Sequence, residues 1–294
     1  MDVFDPATPP VLHVDPGDSV VVHTLDAKGY LEPQRTPGED RPMVFPTKRG
    51  HCLTGPIAVR TAEPGNVLAV HLRSLRPGEW GWTVAGAKDN ELNRELGVTN
   101  DPPAWLLWEI DADNRTATNH LGHTVRTAPF LGVIGLPPAE PGAHSTIPPR
   151  PVGGGNIDCR DLVAGSTLYL PVTVPGALLH VGDGHAAQGH GEVCGTAIEC
   201  PMTTELVLDV QATAPVPGVH AVTPSARITF GFHENLNSAM ASALAGMVRW
   251  IQVLYDLPRT TALALASSTV DMQITQVANG TWGVHSLLPH DAVS

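Results

Sequence analysis

Charge is scarce in this chain. Asp, Glu, Lys and Arg make up 16% of its 294 residues, which is low for a protein that must keep a large surface in water. A compact body or a sizeable interface between copies, a homodimer or larger assembly, is expected. Positive charge is scarcer still: 17 Lys and Arg against 29 Asp and Glu leave a net charge of −12. An acidic chain without a Lys/Arg run repels phosphate backbones and anionic lipid heads, so nucleic acid is not an expected partner. Long apolar runs are missing too. The most apolar long segment, around Ala239 to Leu257, is broken by Arg249, Gln252 and Asp256, so no membrane span is expected. The opening MDVFDPATPP has neither the basic nor the apolar region of an export signal. Cysteine is limited to Cys52, Cys159, Cys194 and Cys200, with no Cys-x-x-Cys spacing. That argues against a structural zinc site and a disulfide framework. The reading is four reduced, mostly buried thiols in a cytoplasmic protein.

What the chain does have is turn chemistry. Its 28 prolines and 29 glycines are spread along its length, which suits many short strands joined by tight turns. Three segments repeat one device, a turn that feeds a β-branched run. They are Asp15-Pro16-Gly17-Asp18 before Val20–Leu25, Glu63-Pro64-Gly65-Asn66 before Val67–Leu72, and Ala164-Gly165-Ser166 before Thr167–Val172. Further strands are predicted at 57–59, 125–127, 131–136, 204–210, 227–232 and 270–277. In the last, Val270, Met272 and Ile274 alternate with Asp271, Gln273 and Thr275, the pattern of a half-buried strand. One segment differs. Leu236, Met240, Leu244, Met247, Ile251 and Leu254 recur every three or four residues, which predicts an amphipathic helix. Asn235 or Asn237 would cap it, and Pro258 would end it and open a shorter helix to about Ser267. The fold class is therefore mainly β, a β-rich α+β chain with sandwich- or barrel-like lobes and a C-terminal helical hairpin. Approximate lobes are 1–150, 151–230 and 231–294 within one unit. The stretch Trp80–Glu109 reads as a long excursion whose tryptophans either pack ordinarily or cover a pocket.

Chemistry concentrates between Asn156 and Glu199. Residues i and i+2 of an extended backbone face one side, so Asp183 and His185 would point together, as two metal ligands or an acid–base pair. Asn156 and Asp158 have the same spacing behind Gly153-Gly154-Gly155, and so do Glu192 and Cys194 behind Gly191. Taken singly, an Asp or His among glycines is an ordinary turn residue. Together, Asp158, Asp161, Asp183, His185, His190, Glu192 and Glu199 supply the carboxylate and imidazole donors that suit zinc or a similar divalent ion.

The order of these motifs adds to their spacing. Gly182-Asp183-Gly184-His185-Ala186-Ala187-Gln188-Gly189 and Gly191-Glu192-Val193-Cys194-Gly195-Thr196-Ala197-Ile198-Glu199 resemble the signature of the acetamidase/formamidase family. Thr54-Gly55-Pro56, Gly154-Gly155-Asn156-Ile157-Asp158, Gly165–Val172, and Thr275–Gly280 with Gly283-Val284-His285 fit the same family in the same order. Two positions depart from it: Gly153 replaces a common His, and His190 replaces a common Asp. The resemblance implies hydrolysis of a small linear amide with release of ammonia.

An amide is a poor electrophile with a poor leaving group, so a divalent metal, zinc or else calcium, is expected to assist. We expect Asp158, Asp183, His185 and Glu199 as ligands. Glu192 would shuttle the proton with Asn156 oriented beside it. His51, His190 and Cys194 would line the substrate, Cys194 as a small apolar side chain rather than a nucleophile. Two alternatives stand beside this reading: hydrolysis of a bulkier or cyclic amide, and a non-catalytic β protein that binds a small molecule or carbohydrate.

Overall fold

The structure, a computed structural model, describes residues 1–47, 49–86 and 89–293. In chain order the strands are β1 (Leu12–Val14), β2 (Ser19–Thr24), β3 (Leu53–Val59), β4 (Val67–Pro77), β5 (Trp80–Ala85), β6 (Ala104–Asp111), β7 (Thr116–Asn119), β8 (Thr124–Arg126) and β9 (Phe130–Gly135). They continue with β10 (Gly154–Asn156), β11 (Thr167–Pro171), β12 (Leu179–His185), β13 (Met202–Gln211), β14 (His220–Val222), β15 (Ala226–His233), β16 (Asp271–Gln276) and β17 (Trp282–Pro289). The helices are α1 (Glu91–Glu95), α2 (Leu236–Tyr255) and α3 (Arg259–Thr269). The protein is thus mainly β with a C-terminal helical pair, as its turn-rich sequence predicts.

The strands form three sheets: β1-β3-β12-β9-β10, β16-β17-β15-β14-β11-β4-β13-β2, and β5-β6-β7-β8. The first two bury their apolar positions in one core. Ile57, Val59, Leu131 and Val181 of the smaller sheet meet Leu68, Val70, Leu168, Leu206 and Leu208 of the larger one. This is a sandwich, the usual way for two one-sided sheets to leave water. Strands from 1–150 and from 151–230 share both sheets: β12 pairs with β3, and β13 pairs with β4. The position near residue 150 is therefore not a break between layers.

Apart from Ala87 and Lys88, which lie outside the described residues, the Trp80–Glu109 excursion is ordered as β5, α1 and β6. Its strands run antiparallel from Trp80 opposite Glu109 to Ala85 opposite Ala104. Trp82 is buried with Tyr30 and Val84, and Trp80 and Trp105 pack against them.

The helix α2 forms where its periodicity predicts. Asn235 caps it by accepting from the Ser238 amide. It ends earlier than Pro258, because Asp256 takes a left-handed conformation (φ 49°) as its C-cap. Pro258 is the N-cap of α3. The alternation in β16 reverses at its end. Ile274 is exposed and Thr275 is buried, because the register with β17 slips between Ile274 and Gln276. Among the described residues, no helix is long and apolar enough to cross a membrane.

Candidate active site

The smaller sheet carries the site. Asp183 and His185 occupy the end of β12, Asn156 ends β10, and Asp158 follows it directly. Asp183 is not simply extended, since its φ is +60°; Asp158 (φ +52°) and Glu192 (φ +43°) share this left-handed conformation. Three carboxylates of the cluster thus sit at strained backbone positions, and such strain persists only where the surroundings over-determine it. Glu199 is fixed by backbone bridges that pair it with Trp82 on one side and His185 on the other. Glu192 comes from the loop between β12 and β13.

All five groups are buried: Asp158, Asp183, His185, Glu192 and Glu199 have relative exposures between 1% and 6%. His185 Nε2 stands 3.4 Å from Asp183 Oδ1 and 3.2 Å from Glu199 Oε2. Donor atoms of Asp183, His185 and Glu199 lie within 4.8 Å of one another, and so do those of Asp158, His185 and Glu192. Gly132 on β9 makes room for them. A Cβ there would come within 2.5 Å of both Asp158 Oδ1 and Asp183 Oδ2.

The tautomer of His185 follows from its neighbour. Gln188 Nε2 donates to the Asp158 carbonyl at 2.8 Å, so its Oε1 is the atom that faces His185 Nδ1 at 2.9 Å. Nδ1 must then carry a proton, which aims Nε2 into the carboxylates. Neutral imidazole would set a lone pair against two carboxylates, so the arrangement requires positive charge at that point. Without a metal, a proton supplies it. Burial opposes the charged ring, but Glu199 and Asp183 outweigh burial and raise the His185 pKa well above its ordinary value. Burial, reinforced by Asp183, pushes Asp158 up. Burial, then the Asp158 charge, does the same to Glu192. Burial raises Glu199 as well. Asp183 moves the other way: burial is overcome by His51 and His185 together, which hold it below the usual carboxylate range.

The cluster fits a divalent cation on its own terms. Asn156 Oδ1, Asp158 Oδ1 and Glu192 Oε2 are buried without a hydrogen-bond partner, a costly state for oxygens unless a cation or substrate completes them. Four carboxylates and one imidazole are hard-to-borderline donors of the kind zinc and similar ions take.

The cluster forms the floor of a cavity of about 450 Å³, lined also by His51, Lys28, Trp82, Val84 and Ile147. His51 Nε2 lies 4.0 Å from Asp183 Oδ2, and its Nδ1 meets Thr146 Oγ1 at 3.0 Å. Trp82 is braced from behind, its indole N–H donating to Asp26 at 2.8 Å. The Lys28 ammonium lies 5.1 Å from the ring centres of both Trp82 and Trp105, within reach of their π faces.

Two expected substrate contacts are not brought to this cavity. The segment around Glu192 and Cys194 is a turn, not a strand, so their spacing does not bring both side chains into this cavity. Cys194 lines a second cavity, of about 390 Å³, with His190, Arg160 and Arg126. Its thiol donates to the Thr196 carbonyl at 3.3 Å. His190 instead faces Asp161, with Nε2 3.8 Å from Oδ2. Glu192 and Thr196 belong to both cavities and separate them. Sequence reasoning misses Gln188, although it lies three residues after His185, because an amide in a loop carries no signature of its partner. It misses Lys28, which reaches the cavity from a distant chain segment, whereas Trp82 is one of the tryptophans it offered as a pocket cover.

A sequence model of the Acetamidase/Formamidase family matches residues 2–142 and 139–279. The chain is 29% identical over 291 residues to an inferred formamidase of Schizosaccharomyces pombe, covering 77% of this chain and 70% of that one. It is 30% identical over 212 residues to an acetamidase of Mycolicibacterium smegmatis, covering 51% of this chain and 50% of that one. The chain therefore spans between half and seven tenths of the length of these two relatives. The crystal structure of an acetamidase from Bacillus halodurans superposes with a TM-score of 0.87 at 26% identity, over 98% of this chain and 94% of that one.

Proposed function

The chain belongs to the acetamidase/formamidase family, and from that premise we propose that it hydrolyses small linear amides, releasing ammonia, at the carboxylate–histidine cluster. One observation carries the reading: four buried carboxylates converge with Asn156 on the floor of a single cavity, with His185 Nε2 against two of them from beneath. That much buried negative charge is costly to fold and is retained where chemistry or a cation uses it.

Asp158, Asp183, His185 and Glu199 would hold a divalent ion, zinc or else calcium. When bound, such an ion supplies positive charge that polarises a carbonyl and acidifies water. The rest falls to the chain's own side chains. Glu192 accepts the proton of the attacking water and returns it to the leaving nitrogen. A raised carboxyl pKa suits a group that must do both near neutral pH. Asn156 donates from Nδ2 to the carbonyl oxygen as negative charge develops there. Gln188 holds His185 in one tautomer, and His51 orients Asp183 from the cavity side. C–N cleavage then leaves a carboxylate and ammonia. A reducing compartment, the cytoplasm, and self-association of this weakly charged chain complete the reading.

The cavity favours a bulkier acyl group than that of acetamide. Its volume of about 450 Å³ lies in the range that encloses drug-sized ligands, roughly 300–1,000 Å³. Trp82, Val84 and Ile147 offer an apolar wall for such a group. Ammonia release from a series of linear amides tests both readings. We expect turnover, with kcat/KM rising by up to about fourfold per added methylene until the wall is filled. A folded protein that turns over no amide in the series refutes the activity. Turnover that survives complete metal removal, checked by elemental analysis, refutes the metal assignment alone.

A further inference from the structure

A second cluster of metal-ligating side chains lies outside the catalytic cavity. Cys159 and Asp161 stand on the segment after β10, His190 on the signature loop, and His285 on β17. Donor atoms of Cys159, Asp161 and His285 lie within 4.8 Å of one another. Cys159 Sγ is 4.0 Å from Asp161 Oδ2, and His285 Nε2 is 3.0 Å from that same oxygen. His190 Nε2 is 3.8 Å from it. In a tetrahedral zinc site, with Zn–S of about 2.3 Å and Zn–N or Zn–O of about 2.0 Å, neighbouring donors stand roughly 3.3–3.5 Å apart. The three separations from Asp161 Oδ2 match those edges to within about half an ångström; His190 stands outside the 4.8 Å group and would have to swing in on its part-exposed side chain to become the fourth ligand.

We propose that Cys159, Asp161, His190 and His285 form a second site for a divalent cation of the zinc class, one that is structural rather than catalytic. His285 Nε2 is fully buried, points into the cluster and has no hydrogen bond of proper geometry. Its other nitrogen meets Thr275 Oγ1 at 2.8 Å, the kind of outer contact that fixes a ligating tautomer. The donor set is one thiolate, one carboxylate and two imidazoles, so bound Zn²⁺ is neutralised. Burial, then the Asp161 charge, pushes the Cys159 thiol well above its ordinary range. On metal binding the thiol's proton passes to solvent as the metal–sulfur bond forms. Asp161 and His190 are part-exposed, which gives the ion an entry path.

The consequence is mechanical. The ion would join three distant segments, including the loop that carries Glu192. That loop already exchanges backbone hydrogen bonds with the chain at the end of β16: the Gly191 amide donates to the Thr275 carbonyl, and the Val277 amide to that of Gly191.

Cobalt loading of the purified full-length protein tests this independently of the catalytic cluster, because none of the catalytic donors is a cysteine. We expect a thiolate-to-cobalt charge-transfer band in the near ultraviolet. Cys159→Ser should remove it together with one metal equivalent per chain. A folded wild-type protein without that band, or a Cys159→Ser variant that keeps it, overturns the proposal. Should Cys159→Ser not fold, His190→Asn at the part-exposed position serves instead. Its cobalt should be lost to a chelator at least about tenfold faster, as when a ligand contact is removed. An unchanged rate overturns the four-ligand assignment.

Discussion

Glu192 shows how much one side chain's role depends on its neighbours. Its carboxyl is buried, shares a cavity floor with Asp158 and separates two cavities. Replacing it with Gln keeps the shape and removes the proton. We expect kcat for amide hydrolysis to fall by about 10²- to 10⁴-fold, the usual worth of a positioned acid–base group, with KM little changed. Steady-state kinetics on a folded Glu192→Gln protein checks this, and unaltered kcat would remove Glu192 from the proton path. At this scale the sequence was partly readable. The i, i+2 spacing put Asp183 and His185 together, and they meet at 3.4 Å, although the φ of +60° at Asp183 is not that of a plain strand. The same rule failed for Glu192 and Cys194, because a glycine-flanked loop need not be extended.

At the scale of elements, two glycines separate stability from activity. On β15, a Cβ at Gly231 would meet the Ala239 carbonyl oxygen of α2 at 2.0 Å and the Ala243 nitrogen at 2.6 Å. Both atoms are helix backbone and cannot turn aside. Gly231→Ala should therefore destabilise the protein by about 3 kcal/mol or more, read by urea unfolding. On β9, a Cβ at Gly132 meets the carboxylate tips of Asp158 and Asp183, which can swing away. Gly132→Ala should cost less stability than Gly231→Ala yet lose most amide turnover. The reverse ranking would contradict the assignment of those carboxylates. The helix α2 was legible because its apolar residues recur at the period of one buried face. The strand β17 was not, since Gly283 and the buried polar residues His285 and Ser286 interrupt its apolar pattern.

Over the whole molecule, acid stability should follow two histidines outside the carboxylate–histidine cluster. His180 and His220 are buried, and burial lowers both pKa values to about 4. Each Nδ1–H donates to a nearby carbonyl, of Leu178 and Gly218 respectively. Each Nε2 is buried without a partner, so charging the ring would strand a proton. The unfolded chain, with His near its ordinary value of about 6.5, binds more protons between about pH 4 and 6.5. Stability should therefore be complete above about pH 6.5 and fall as pH drops toward 4, by on the order of 3 kcal/mol per histidine. Denaturant unfolding across that range measures the loss, and His220→Phe should shrink it. A pH-independent unfolding free energy over the window would contradict the prediction.

The sequence by itself determined the mainly β character, the amphipathic helix and the family, because turn residues, hydrophobic period and contiguous motifs are local. It also concentrated the reactive side chains in one stretch of chain. Only the tertiary structure decided which of them meet. Glu199 reaches His185 through bridges to both His185 and Trp82, Gly132 opens the space for two carboxylates, and Lys28 and Trp82 arrive from a turn and a strand distant in the chain. His190 turns away toward Asp161 and His285, which lie 29 and 95 positions from it in the chain. Such meetings depend on strand order and on a few left-handed backbone positions, and neither is written in the spacing of residues along one segment.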